Sequence, residues 1–116
     1  MPAELVRVMN RLIAEKILVI VEGKRDIASL QELGFENIRM LNAPLFEVVE
    51  DVARMTKTVA VLTDLDSKGK ELHNKLSEDF QRHGVMVDDT FRKFLLKNTP
   101  IKHIEGLATF VKNHAE

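Results

Sequence analysis

Residues Lys16–Gly23 read KILVIVEG. Apolar side chains run without a break from Ile17 to Val21, most of them β-branched, and Glu22-Gly23 closes the run. The stretch is too short for a helix. Unbroken apolarity, rather than alternation, is the mark of a strand covered on both faces, as in a parallel sheet.

The flanks agree with that reading. Upstream, residues 3–14 place Leu5, Val6, Met9, Leu12 and Ile13 at helical spacing. Downstream, DIASLQELGF reads as a helix with Asp26 near its start and Gly34 as its stop. NIRML is a short strand, and APLFEVVEDVARM a helix with Pro44 near its first turn. Lys57–Leu72, KTVAVLTDLDSKGKEL, gives a buried strand over Val59–Leu62 and then a helix from about Lys70 to Arg82 that carries Leu72, Leu76 and Phe80. Gly84 ends it, VMV is a fourth strand, and the tail from 90 to 114 splits into two helices at Thr99-Pro100. Met9, Met40, Met55 and Met86 fall in apolar patterns and are assigned to the core.

Strands alternating with helices at this spacing form βαβ units. The expected fold is a three-layer α/β/α sandwich around a mostly parallel four-stranded sheet. The whole chain, 1–116, is expected to form one domain with a core at about 16–90. No apolar run approaches the roughly 20 residues of a membrane helix, and MPAELVRVMN has no apolar signal-peptide core. The expected compartment is therefore the cytoplasm. With no cysteine there is no disulfide, thiolate nucleophile or cysteine zinc site. A net charge of −1 gives no basic surplus for gripping nucleic acid, and six Phe without Trp or Tyr leave little for base stacking.

In open α/β sheets ligands bind beyond the carboxyl ends of the strands. Glu22 stands at one such end, and Asp64 and Asp66 at another. In extended chain, residues i and i+2 face one side roughly 6.6 Å apart, so the two aspartates can aim at a common point. Clustered carboxylates raise one another's pKa unless a cation intervenes, and a hard divalent ion is the natural partner. Gly23, Lys24 and Arg25 follow the glutamate, while Lys68, Gly69 and Lys70 follow the aspartates. Both segments lead into helices, whose first N–H groups favour anions. Metal, cationic loops and a free carboxylate together equip a site for phosphodiester transfer or hydrolysis.

At these residues the sequence resembles the Toprim family, the metal-binding catalytic domain of topoisomerases, bacterial-type primases, old-family nucleases, recombination protein R and the ribosomal-RNA maturase. LVIVEGKRD matches the family's first-strand glutamate motif and VAVLTDLDSKGKEL its Asp-x-Asp motif. The resemblance, over roughly residues 16–90, implies a small stand-alone Toprim protein. It implies Mg2+, with Mn2+ as a substitute, held by Asp64 and Asp66 with Glu22 as acid/base or further ligand. Lys70 departs from the acid that topoisomerase-type members carry after the Gly, so a role for Glu71 is left open. Without tyrosine, tyrosyl-phosphate chemistry is excluded for this chain alone.

Two functions compete: an Mg2+-dependent nuclease or nucleotidyl-transfer enzyme acting on RNA or DNA, and a non-catalytic metal-, phosphate- or RNA-binding module of a larger assembly. A homodimer or larger complex would supply the missing basic surface. A haloacid-dehalogenase-type phosphatase ranks lower, because Asp-x-Asp follows the third strand here and position 68 is Lys. No P-loop pattern occurs. Plainer assignments stand for the remaining polar groups. Asp26 and Asp88-Asp89 cap helices, Arg92, Lys93 and Lys97 lie on an exposed face, and His103 and Glu105, candidates in the tail for substrate contact, are more plainly helix-start polarity. His73, His83 and His114 have no ligand spacing.

Overall fold

The computed structural model describes residues 2–114. Four strands, β1 (Leu18–Val21), β2 (Ile38–Met40), β3 (Thr58–Val61) and β4 (Met86–Val87), form one sheet in the order β2-β1-β3-β4. Every neighbouring pair is parallel, with Val19 opposite Ile38 and Ala60, and Thr58 opposite Met86. Among the described residues six helices surround it: α1 (Pro2–Ala14), α2 (Lys24–Glu32), α3 (Leu45–Met55), α4 (Ser67–Arg82), α5 (Thr90–Asn98) and α6 (Leu107–His114), the last preceded by a 3-10 turn over Ile104–Gly106.

Alternation along the central strands divides the core in two. Val19, Val21, Ala60 and Leu62 face α1, α2, α5 and α6, meeting Leu5, Leu12, Leu30, Leu95 and Leu107. Leu18, Ile20, Val59 and Val61 face α3 and α4, meeting Val48, Val52, Leu76 and Phe80. All four β1 residues are buried, as unbroken apolarity requires of a strand between two helical layers. The fold is thus the expected α/β/α sandwich.

The direction in which successive strands are laid down reverses at the centre of the sheet. From β1 the chain crosses by α2 to β2 on one side, and from β3 it crosses by α4 to β4 on the other. The covering helices lie on opposite faces, so the crossovers keep a single hand, as parallel units do. The ends of β1 and β3 are therefore the switch point of a doubly wound sheet, where such folds hold ligands. Gly34 and Gly84, at φ of 101° and 75°, end α2 and α4 as expected.

Three expectations need correction. Helix α4 begins at Ser67, not near Lys70, because the Asp66 carboxylate accepts the Gly69 N–H at 2.8 Å and caps the turn earlier. Met55 and Met86 are 69% and 64% exposed. One is the last residue of its helix and the other lies on a two-residue edge strand, so neither has a layer to cover it. Met9 is buried and Met40 packs against the core. Arg92, assigned to an exposed face, is buried. Among the described residues, no helix is long and apolar enough to cross a membrane.

Candidate functional site

Past β3 the chain leaves the sheet and bends at Leu65 and Asp66, with Leu62, Thr63 and Leu65 buried and Asp64 and Asp66 half-buried between and beyond them. Leu65 anchors the loop in the core, and its N–H donates to the Lys102 carbonyl at 2.8 Å. Burial of Leu65 leaves both aspartates on the more open side, although the chain between them is bent, not the extended run expected of i, i+2 spacing.

Each aspartate has one oxygen tethered by backbone. Asp64 Oδ1 accepts the Ile104 N–H at 2.9 Å, and Asp66 Oδ1 accepts that of Gly69. The other oxygens face one imidazole, with His103 Nδ1 lying 3.3 Å from Asp64 Oδ2 and 3.9 Å from Asp66 Oδ2. One ligand atom from each of Asp64, Asp66 and His103 lies within 4.8 Å of the others. The bond from Asp64, followed by its charge, raises the pKa of His103.

Glu22 reaches the same loop from β1. Its Oε2 accepts the Asp64 N–H at 2.8 Å, so it is one residue's backbone away from the aspartate pair, although it is not part of the three-residue ligand group. Asp26 reaches back to accept the Gly23 N–H at 3.1 Å. This is the capping role expected of it, exercised from inside the helix. Burial, and then the charges of Asp64 and Glu22, raise its pKa against the lowering effect of the Gly23 bond.

Arg92 supplies positive charge from behind the loop. Its Nη1 donates to the Thr63 carbonyl at 2.7 Å and to Thr63 Oγ1 at 3.1 Å, and Nη2 donates to the Asp64 carbonyl at 2.8 Å. Desolvation lowers its pKa, opposed by the charges of Glu22, Asp64 and Asp66. These bonds satisfy the buried guanidinium. Thr63 Oγ1 in turn donates to the Gly69 carbonyl at 2.6 Å.

The glycines have different roles. A Cβ on Gly69 would fall 1.9 Å from the Asp64 carbonyl oxygen, so Gly69 serves the close packing of helix start on loop. Gly23 has open space where its Cβ would be. Lys70 and Lys102 border an open hollow of about 480 Å³ together with Leu65, Asp66, Ser67 and His103. Lys24 begins α2, Lys68 lies in the first turn of α4, and Arg25 sits 3.7 Å from Glu105 on the surface. Asp88 stays out of the cluster: it pairs with Arg11 at 2.6 Å and accepts the Thr90 N–H.

Local sequence puts Arg92 on an exposed face, and sets His103, a candidate for substrate contact, aside in favour of helix-start polarity. The place of His103 depends on backbone bonds spanning about forty residues, and that of Arg92 on carbonyl partners that any residue carries.

Fold and site together define an open, doubly wound α/β protein with a carboxylate-rich cleft at its switch point. The chain belongs to the UPF0292 family. It is 36% identical over 103 residues to a UPF0292 protein of Methanocaldococcus jannaschii, covering 84% of this chain and 80% of that one. Against the Methanosarcina barkeri member it is 37% identical, covering 93% and 78%, and against the Pyrococcus abyssi member 43%, covering 77% and 70%. No family model matches. Among solved structures, a putative protein from Aquifex aeolicus superposes with a TM-score of 0.78 at 30% identity, covering 89% of this chain and 94% of that one.

Proposed function

We propose that this chain is a Toprim-type module that carries out Mg2+-dependent phosphodiester chemistry on nucleic acid in the cytoplasm, as a nuclease or nucleotidyl-transfer enzyme, with RNA the preferred substrate. The observation that carries this reading is the meeting of Glu22 with the Asp64 loop at the switch point, through the 2.8 Å bond from Asp64 N–H to Glu22 Oε2.

The residues fit a divalent cation. Asp64 and Asp66 each keep one oxygen beyond its backbone tether, and these oxygens border a common space. Small hard cations take one or two carboxylates and complete their shell with water and phosphate oxygens. When bound, such an ion polarises a phosphoryl oxygen and lowers the pKa of a coordinated water. Asp64 and Asp66 would hold the ion, and Glu22, fixed against the Asp64 backbone, would take or return a proton. Lys70 and Lys102, on the rim of the hollow, neutralise phosphate charge. Arg92 offsets the carboxylates from the buried side.

A second reading, a metal- or phosphate-gripping module without turnover, draws support from the helix starts. Asp26 and Asp66 occupy the Gly23 and Gly69 N–H groups with the protein's own carboxylates, which leaves fewer free donors for a substrate phosphate. In this reading a second copy or a partner chain supplies the basic surface.

The test is incubation of purified protein with labelled single-stranded and duplex RNA and DNA in Mg2+ or Mn2+. Metal-dependent cleavage that Asp64→Asn and Glu22→Gln each abolish supports the enzyme. Tight metal-dependent binding with no product selects the module. Neither cleavage nor metal-dependent binding defeats both.

A further inference from the structure

The tail brings His103 to the aspartates by construction rather than by chance proximity. Residues on both sides of it are tied to the aspartate loop: Lys102 O accepts the Leu65 N–H at 2.8 Å, and Ile104 N–H donates to Asp64 Oδ1 at 2.9 Å. Between these two bonds the backbone of residue 103 has little freedom, so its ring stays at the mouth of the site although it is 58% exposed. No packing force holds an exposed imidazole there; the two flanking bonds do. Behind them, Ile104 and Leu107 are fully buried, so the segment is anchored in the core.

We infer that His103 is a ligand of the site and its specificity-determining residue, making it a mixed site of two carboxylates and one imidazole that selects a first-row transition cation such as Mn2+ over Mg2+. This rests on the metal-site reading above and narrows it. The reason is donor chemistry. Carboxylate and water oxygens alone suit Mg2+ and Ca2+, whereas an imidazole nitrogen adds a borderline donor that transition ions accept far better than Mg2+, which is reluctant to give up its water. His103 Nδ1 sits where it can share an ion with both free Oδ2 atoms, at 3.3 Å and 3.9 Å. A cation between them needs only modest side-chain rotation, because the opposite oxygens are fixed by backbone. Glu22, outside the three-ligand group, remains available for proton transfer.

The experiment uses the full chain and two readouts that do not depend on activity. Calorimetric titration with Mn2+ and with Mg2+ is run on the parent, His103→Ala, His103→Asp and Asp64→Asn, and pulsed electron paramagnetic resonance is recorded on the Mn2+ complexes. The parent is expected to bind Mn2+ more tightly and to show nitrogen coupling to the ion. His103→Ala is expected to lose the coupling and at least about 10-fold in Mn2+ affinity, the lower bound being the loss seen when a group that only orients a ligand is removed. Its Mg2+ affinity stays near that of the parent, and His103→Asp, with an oxygen donor, shifts preference toward Mg2+. Absence of nitrogen coupling in the parent, or an Mn2+/Mg2+ ratio that His103→Ala leaves unchanged, overturns the inference while binding lost in Asp64→Asn keeps the metal site. No binding of either ion by the parent, or binding that survives Asp64→Asn, overturns both.

Discussion

At Gly69 the site depends on a missing methyl group. A Cβ there meets the Asp64 carbonyl oxygen at 1.9 Å and its carbon at 2.4 Å, and backbone cannot yield as a flexible side chain can. Gly69→Ala is therefore expected to destabilise the protein by about 3 kcal/mol, at the upper end of ordinary substitutions, read as a lower urea midpoint. Asp66 separates two roles in one side chain, since Oδ1 caps α4 while Oδ2 faces His103. Asp66→Asn keeps an acceptor for the cap and removes the charge, so its stability should match the parent while metal affinity falls. Asp66→Ala should lose both, with about 1 kcal/mol of stability lost through the cap. Calorimetric titration beside urea unfolding distinguishes the two variants. At this scale the sequence was legible where polar side chains stand at strand ends, as with Glu22, Asp64 and Asp66, which the fold brings to one switch point. It was silent where the partner is backbone. Arg92 beside Lys93 looks like one more charge on a helix, and nothing local says that the carbonyls of Thr63 and Asp64 await it.

Among the elements, the central strands were the most readable, because a strand buried on both faces leaves a continuous apolar signature and β1 carries it in full. Helix starts were less so. The start of α4 is set by a carboxylate that also reads as a metal ligand, and the two roles compete for one residue in any sequence reading. Asp88 shows a similar ambiguity. It was read as a cap, yet it also joins the segment after β4 to α1 through Arg11 at 2.6 Å, while accepting the Thr90 N–H at 3.1 Å. Burial alone would raise its pKa, but the Arg11 bond and charge together with Thr90 outweigh this and hold it below the ordinary 3.8. A depressed carboxylate pKa contributes stability that is present above the unfolded value and disappears as pH falls through the folded one. Arg11 is more than a third exposed, so screening limits the contribution to about 0.5–1 kcal/mol. Asp88→Asn should be less stable than the parent by that amount at pH 7, and the gap should close below pH 3.8. Urea unfolding of both proteins across pH 2–7 measures it.

For the whole molecule, the decisive fact is that the site is assembled from three distant segments. Glu22 follows β1, the aspartates follow β3, and His103 arrives from the tail, with bonds from Asp64 N to Glu22 and from Ile104 N to Asp64 joining all three. Topology explains why the first two meet, since neighbouring parallel strands end side by side at the switch point. The third contact is set by burial of Ile104 and Leu107 against α2 and the sheet, a long-range packing outcome with no local pattern, which is why His103 could be offered for substrate contact but not joined to the aspartates. An ion bound by such an assembly recognises only the folded chain, because no stretch of the unfolded polymer holds these groups together. Binding must then add to stability by mass action, about 2.7 kcal/mol when free ion is at 100 times its dissociation constant. The parent's melting temperature is accordingly expected to rise by several degrees from EDTA to saturating Mn2+, and that of Asp64→Asn to stay unchanged. Amide exchange locates the effect: the Ile104 and Gly69 N–H groups, both bonded to the aspartates, should slow on ion binding beyond the global stabilisation. A melting shift of equal size in Asp64→Asn would place the ion elsewhere on the surface and separate these carboxylates from metal chemistry.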